Sequence, residues 1–236
     1  MAPVFVLVHS PSVGPSTWAP VADQLRALGR DAVVPSLRDI GDGDPPFWPG
    51  VVEAVAEATR VLATDQPVLL VAHSNAGLFV PVLVTETARP VHGCLFVDAA
   101  LPARQASTPV ASDELLDFLR GKVAADGRLP RWTDWWDAED VAQLFPDAAT
   151  QAAVMADQPR LPLTYYEQRV PVPAGWDETP CGYLLFGPPY DDVAADARDR
   201  GWLVEQLPGA HLNQVVEPDA TADRLIGMAA RLTGAA

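Results

Sequence analysis

Basic residues are scarce in this chain. Sixteen lysines and arginines stand against 31 aspartates and glutamates, a formal net charge of −15 over 236 residues. Nucleic acid and anionic membrane surfaces repel such a chain, so neither is expected as a partner. Only two cysteines occur, Cys94 and Cys181. Each falls in or at the start of an apolar strand-like run, which reads as a buried, reduced thiol; two cysteines make no disulfide framework, although neighbouring strands would bring them together. No Cys/His spacing of a metal site is present, and no cofactor is expected. No apolar run approaches the ~20 residues that a membrane-spanning helix needs. After Met1 the chain enters a strand directly, without the charged stretch, apolar core and cleavage site of a signal peptide, so a cytoplasmic location is expected.

What is present is a chain that is 49% hydrophobic, enough for one domain with a sizeable core. Residues 4–8 form a continuous apolar run, the pattern of a central strand. A turn-rich loop follows, His9-Ser10-Pro11-Ser12-Val13-Gly14-Pro15. Ser16 or Thr17 then caps a helix with Trp18, Val21, Leu25 and Leu28 on one face and Gly29 at its end. Strand 32–34, a Gly/Pro loop over 39–49 and a helix through Val51, Val55, Ala58 and Leu62 come next. Strands at 68–71 and 93–97 flank a helix that begins near Ala76, with Pro81 near its first turn or kinking it. This alternation implies a mostly parallel sheet covered by helices on both faces.

The alternation stops at about residue 103. From 103 to 179 the pattern is helical or irregular with no convincing strand: Ser112 caps a helix, Trp132, Trp135 and Trp136 fall at spacings that share one helix face, and Tyr165 and Tyr166 lie in another helix. Strand, helix, strand and helix resume over 181–232. Residues 1–102 and 180–236 therefore form an α/β core, and 103–179 a helical cap over the carboxyl ends of its strands, within one domain overall.

Ser74 sits where the buried strand turns into a helix, in Ala72-His73-Ser74-Asn75-Ala76. A sharp turn there demands small residues two before and two after the serine, a relaxed form of Gly-x-Ser-x-Gly. A serine hydroxyl needs a base, normally a histidine that a carboxylate orients. Of four histidines, His211 has the best address, in a loop after the last strand. Asp191, a few residues past the preceding strand, is the first choice for the acid. Asp98, at the end of the strand after the serine, is the alternative. His9 and His73 are expected to pack beside the site.

On these residues the chain resembles the α/β-hydrolase fold superfamily over nearly its whole length. More narrowly it resembles small actinobacterial-type α/β hydrolases with a His-Ser-Pro loop after the first central strand, and more distantly the hydroxynitrile lyase and plant esterase group. The resemblance implies a Ser-His-Asp site, an ester-like or carbonyl substrate, and an oxyanion hole built from the Asn75 amide and the His9–Ser12 loop. Pro11 stands where that loop would offer its amide, and it has no N–H. The second donor is then missing, shifted to Ser12 or replaced by the Ser10 hydroxyl. The implied activity is a cofactor-independent hydrolysis of an ester, lactone or thioester. A lyase, cyclase or isomerase on the same fold, or a ligand-binding receptor, are the rivals. Phe79, Leu101, Phe118, Trp132, Trp135, Trp136 and Tyr165 are pocket candidates, which favours an apolar or aromatic small molecule. Whether the chain forms a homodimer stays open.

Overall fold

The computed structural model describes residues 1–234. Six strands form one parallel sheet: β1 (Val4–Val8), β2 (Ala32–Val33), β3 (Val68–His73), β4 (Val91–Val97), and, after the insertion, β7 (Cys181–Leu185) and β8 (Leu203–Gln206). The insertion holds β5 (Ser107–Pro109) and β6 (Arg169–Pro171). Ten α-helices accompany them among the described residues: α1 (Ala19–Ala27), α2 (Trp48–Thr59), α3 (Val80–Glu86), α4 (Asp113–Arg120), α5 (Ala138–Ala142), α6 (Ala148–Asp157), α7 (Leu163–Glu167), α8 (Asp191–Asp199), α9 (Asn213–Val216) and α10 (Pro218–Thr233).

The order across the sheet is β2-β1-β3-β4-β7-β8. Successive side chains of a strand point to opposite faces, and the central strands are apolar on both. Phe5, Leu7, Leu69 and Val71 face α1 and α10, where they meet Trp18, Leu25, Leu225 and Met228. Val6, Val8, Leu70 and Ala72 face the other way, onto Val51 and Val55 of α2 and Leu83 of α3. Burial on both faces is why these strands read as unbroken apolar runs. From β1 the chain moves outward to β2, then returns to place β3 on the other side of β1. The crevice beyond the carboxyl ends of β1 and β3 is thus a topological switch point, where open parallel sheets hold their ligands.

The insertion departs from expectation in two places. β5 and β6 pair antiparallel, with Ser107 opposite Pro171, where the chain leaves the core and returns to it. Three-residue strands that carry a proline apiece show too little alternation to be legible in the sequence. The three tryptophans do not share an α-helical face. Trp132–Trp135 is a 3₁₀ turn, and Trp136 follows in extended backbone. Asp157 at the end of α6 fastens the insertion to the core: its carboxylate accepts the Ser16 N–H at 2.9 Å and pairs with Arg38 at 3.0 Å. Cys94 and Cys181 are free, buried and register partners across β4 and β7.

His9 closes β1 and is fully buried. Its Nε2 accepts the Leu37 N–H at 3.0 Å, so Nδ1 carries the proton and donates to the Ser10 carbonyl at 2.8 Å. The imidazole thereby ties the loop after β1 to the loop after β2. Burial pulls its pKa down from 6.5 to about 4.

Two predictions follow from this packing. A Cβ on Gly77 would strike the Ala100 backbone carbonyl, whereas one on exposed Gly227 in α10 meets nothing. Gly77→Ala should therefore cost about 1–3 kcal/mol in urea unfolding, and Gly227→Ala should gain up to about 1 kcal/mol through helix propensity. For His9 the sign is set by the unfolded chain, which binds the proton first. Its contribution is complete above pH 6.5 and is lost as pH falls toward 4. The unfolding free energy should drop by roughly 2 kcal/mol from His9 between pH 7.5 and pH 5; a flat profile over that range would show that the buried ring takes up its proton as readily as the unfolded chain does.

Candidate active site

Ser74 lies at the end of β3 with a φ of +59°, left-handed backbone that a non-glycine residue occupies only when its surroundings enforce it. The strand cannot continue, and the chain enters a 3₁₀ turn over Ser74–Phe79. The side chain is left standing above the sheet at the switch point. Ala76 and Gly77 are buried behind it. The Ser74 carbonyl accepts the Ala100 N–H at 3.1 Å, so the elbow is bonded to the turn after β4.

His211 reaches Ser74 from the loop after β8, with Nε2 3.0 Å from Ser74 Oγ. Its Nδ1 lies 2.7 Å from Asp98 Oδ2. The carboxylate makes Nδ1 the protonated nitrogen and leaves Nε2 free to accept the serine proton. Asp98 is wholly buried, and its φ of +43° turns its side chain from the end of β4 into the site. Oδ1 accepts the amides of Phe186 at 3.0 Å and Gly187 at 3.4 Å, at the end of β7. Asp191, the first choice from the sequence, does not meet His211. It stands exposed in the first turn of α8, where the helix dipole suits a carboxylate. Asp98 takes the position because β4 lies beside β3 in the sheet, one strand nearer the serine than β7.

His73 lies on the strand side of the elbow, buried beside His211, with ring centroids 4.6 Å apart. Its Nε2 donates to the His211 carbonyl at 2.8 Å and so holds the histidine loop down. Burial first, and the neighbouring His211 second, push its pKa well below the ordinary value. A neutral His73 can serve as that donor without repelling a protonated His211.

The loop after β1 forms the other wall. Ser10 and Ser12 line the cavity together with Asn75; His9 lies beneath the loop, and neither it nor Pro11 lines the cavity. Ser10 Oγ accepts the Ser12 N–H at 3.3 Å, which leaves the Ser10 proton free to be donated. Ser12 Oγ is bonded to the Tyr166 hydroxyl at 2.6 Å. The Tyr165 hydroxyl donates to Asn75 Oδ1, and Asn75 Nδ2 donates to the Val110 carbonyl at 3.1 Å. Two consecutive tyrosines of α7 thus hold one residue of the elbow and one of the loop after β1. Burial raises the pKa of both, so both are neutral hydroxyls.

The cavity between these walls encloses about 560 Å³, a volume suited to a small molecule. Trp132, Trp135 and Trp136 all line it. Four other pocket candidates do not. Phe79 is buried in the core, Leu101 packs against that core, Tyr165 lies behind Asn75, and Phe118 is exposed and stacks on Trp136. Val110, Leu115, Val141 and Leu144 complete an apolar roof that helical spacing alone did not reveal. Sequence reasoning also missed Tyr166 and Tyr190, which line the cavity, and Tyr183. The Tyr183 hydroxyl donates to the Ala99 carbonyl at 2.9 Å and accepts the Ala99 N–H at 3.0 Å, clamping the turn that carries Asp98. Tyr190 directly precedes Asp191, in the same loop after β7.

Solved structures similar to this chain share the architecture at low identity. An extracellular alpha/beta-hydrolase from a Paenibacillus species, described as sharing structural and functional homology with tobacco salicylic acid binding protein 2, aligns with a TM-score of 0.75 at 17% identity, over 96% of this chain and 99% of that one. Tomato methylketone synthase I aligns with a TM-score of 0.75 at 16% identity, over 98% and 99%. Polyneuridine aldehyde esterase aligns with a TM-score of 0.69 at 15% identity, over 97% and 99%. A search of curated protein sequences returns no significant match. The profile of the alpha/beta hydrolase family matches residues 5–224. This chain belongs to the alpha/beta hydrolase family.

Proposed function

We propose that the protein is a cofactor-independent serine hydrolase acting on an ester, lactone or thioester of an apolar or aromatic small molecule. The observation that carries this reading is the continuous chain of hydrogen bonds from Asp98 through His211 to Ser74, with the serine raised into an apolar cavity. His211 Nε2 takes the Ser74 proton as Oγ attacks the carbonyl carbon. Asp98 holds the imidazole in the tautomer that permits this and stabilises the imidazolium that forms. The Asn75 amide and the Ser10 hydroxyl are the donors for the oxyanion. The protonated His211 then gives its proton to the departing oxygen or sulfur. Water deprotonated by the same nitrogen attacks the acyl-enzyme, and the acid leaves.

A second reading keeps the site and omits acylation: a lyase, cyclase or isomerase in which Ser74 and His211 exchange protons with a carbonyl compound. Pro11 favours it, because one backbone donor for an oxyanion is absent from the loop. In well-studied serine enzymes the loss of one such donor costs roughly 2.7–4 kcal/mol of transition-state stabilisation.

A fluorophosphonate probe followed by intact-mass measurement distinguishes the two. Hydrolysis expects one adduct on the unsubstituted protein and none on Ser74→Ala or His211→Ala. A folded protein that takes no adduct, and forms product without incorporating oxygen from water, would falsify acyl transfer. The assignment of the acid has its own test. Asp98→Asn should lower kcat roughly 10⁴-fold by leaving His211 in the wrong tautomer, whereas Asp191→Asn should stay within about twofold, as expected for an exposed helix-start carboxylate. The reverse order would return the acid to Asp191.

A further inference from the structure

One side chain at the centre of the site has no part in the mechanism above. Tyr190 ends the loop after β7 and caps α8. Its N–H donates to the Gly187 carbonyl at 3.0 Å, and its own carbonyl accepts the Ala194 N–H at 2.9 Å, so its backbone is fixed at both ends. Its ring lies nearly parallel to the His211 imidazole, 7° between planes and 5.1 Å between centroids. The hydroxyl has Ser74 as a neighbour. Tyr190 also lines the cavity.

The sheet order says which part of a substrate this hydroxyl meets. Ser74 tops β3. On one side stands β1, whose loop brings Ser10 and Ser12; on the other stand β4 and β7, whose loops bring Asp98 and Tyr190. A carbonyl oxygen directed at the Asn75 amide and the Ser10 hydroxyl lies toward β1. The leaving group must lie by His211 Nε2, since its proton comes from there. Tyr190 is stacked on that imidazole and lines the same cavity as Ser74.

Resting on the hydrolase reading, we propose that Tyr190 is a catalytic residue whose hydroxyl donates a hydrogen bond to the leaving-group oxygen as the acyl C–O bond breaks. The electron pair of that bond goes to the leaving oxygen, and the proton that completes the alcohol comes from His211 Nε2. Tyr190 keeps its own proton throughout. Burial pushes its pKa up to about 12, with the neighbouring Ser74 pulling the other way, so the hydroxyl is a neutral donor across the working range. The stacked ring also places π-density against the imidazolium while His211 is charged. A donor on this flank assists bond breaking where the β1 loop, with Pro11, assists the oxyanion less.

Esters of one acyl group with leaving groups from 4-nitrophenol to ethanol test this on Tyr190→Phe, which keeps the stacked ring and removes only the hydroxyl. A good leaving group needs little help and a poor one needs much. The loss in kcat/KM should grow from about threefold with 4-nitrophenol to about 100-fold with ethanol. The ratio of the two rates within one preparation is independent of how much of the variant is folded. An equal loss across the series, or none, overturns the role assigned to the hydroxyl and leaves the Ser74 mechanism standing. No probe adduct and no ester turnover in the unsubstituted protein overturns the hydrolase reading and this role with it.

Discussion

The buried carboxylate of Asp98 joins three separate parts of the chain. One oxygen holds His211 from the loop after β8, and the other holds the Phe186 and Gly187 amides at the end of β7, while the backbone around it is bonded to the Ser74 elbow and to Tyr183. Charge-assisted bonds of this kind are shorter and stronger than neutral ones. They offset the cost of placing a fully buried charge in the interior. Loss of the carboxylate would leave two buried amides and one imidazole without their partner, and a buried donor left unsatisfied costs about 1–3 kcal/mol. The left-handed backbone at Asp98 and at Ser74 is sustained by the same framework. Two adjacent strands end in strained turns, and each strained turn is bonded to the other.

The insertion matters to the site through side chains more than through shape. It supplies the apolar roof, and α7 sends Tyr165 to Asn75 and Tyr166 to Ser12. A donor is worth more when it is already aimed at the place where charge will develop. Both tyrosines are buried and neutral, so they orient Asn75 and Ser12 without adding charge to that wall of the cavity. Asp157 fastens the far end of the same segment to Ser16 and Arg38, close to the loop that carries Ser10. The roof and the loop after β1 are therefore braced against each other at two points.

Much of this was legible in the chain itself. The five apolar residues of β1, the buried run of β3 and the alternation of strands with helices implied a parallel sheet, and the sheet is parallel at every pairing. Ala72-His73-Ser74-Asn75-Ala76 marked the elbow because a tight turn excludes large side chains, a restriction that acts within a few residues and so shows in a local pattern. His211 was marked by its loop for a related reason. The insertion was less legible. Its short strands and its 3₁₀ tryptophan turn are stabilised by what they rest on, and local periodicity carries no record of that.

The strands, the elbow and the candidate base could be read from the chain alone, because hydrophobic periodicity and turn sterics are properties of neighbouring residues. It offered two aspartates, Asp98 at a strand end and Asp191 a few residues past one, and put Asp191 first. The tertiary structure pairs the other: Asp98 meets His211 because β4 lies between β3 and β7, and Asp191 does not because it opens a helix facing water. The partners of Tyr165, Tyr166 and Tyr190 were decided in the same way. Contacts across 90 residues and more depend on which strands neighbour each other, and sheet order is fixed by packing the whole chain at once.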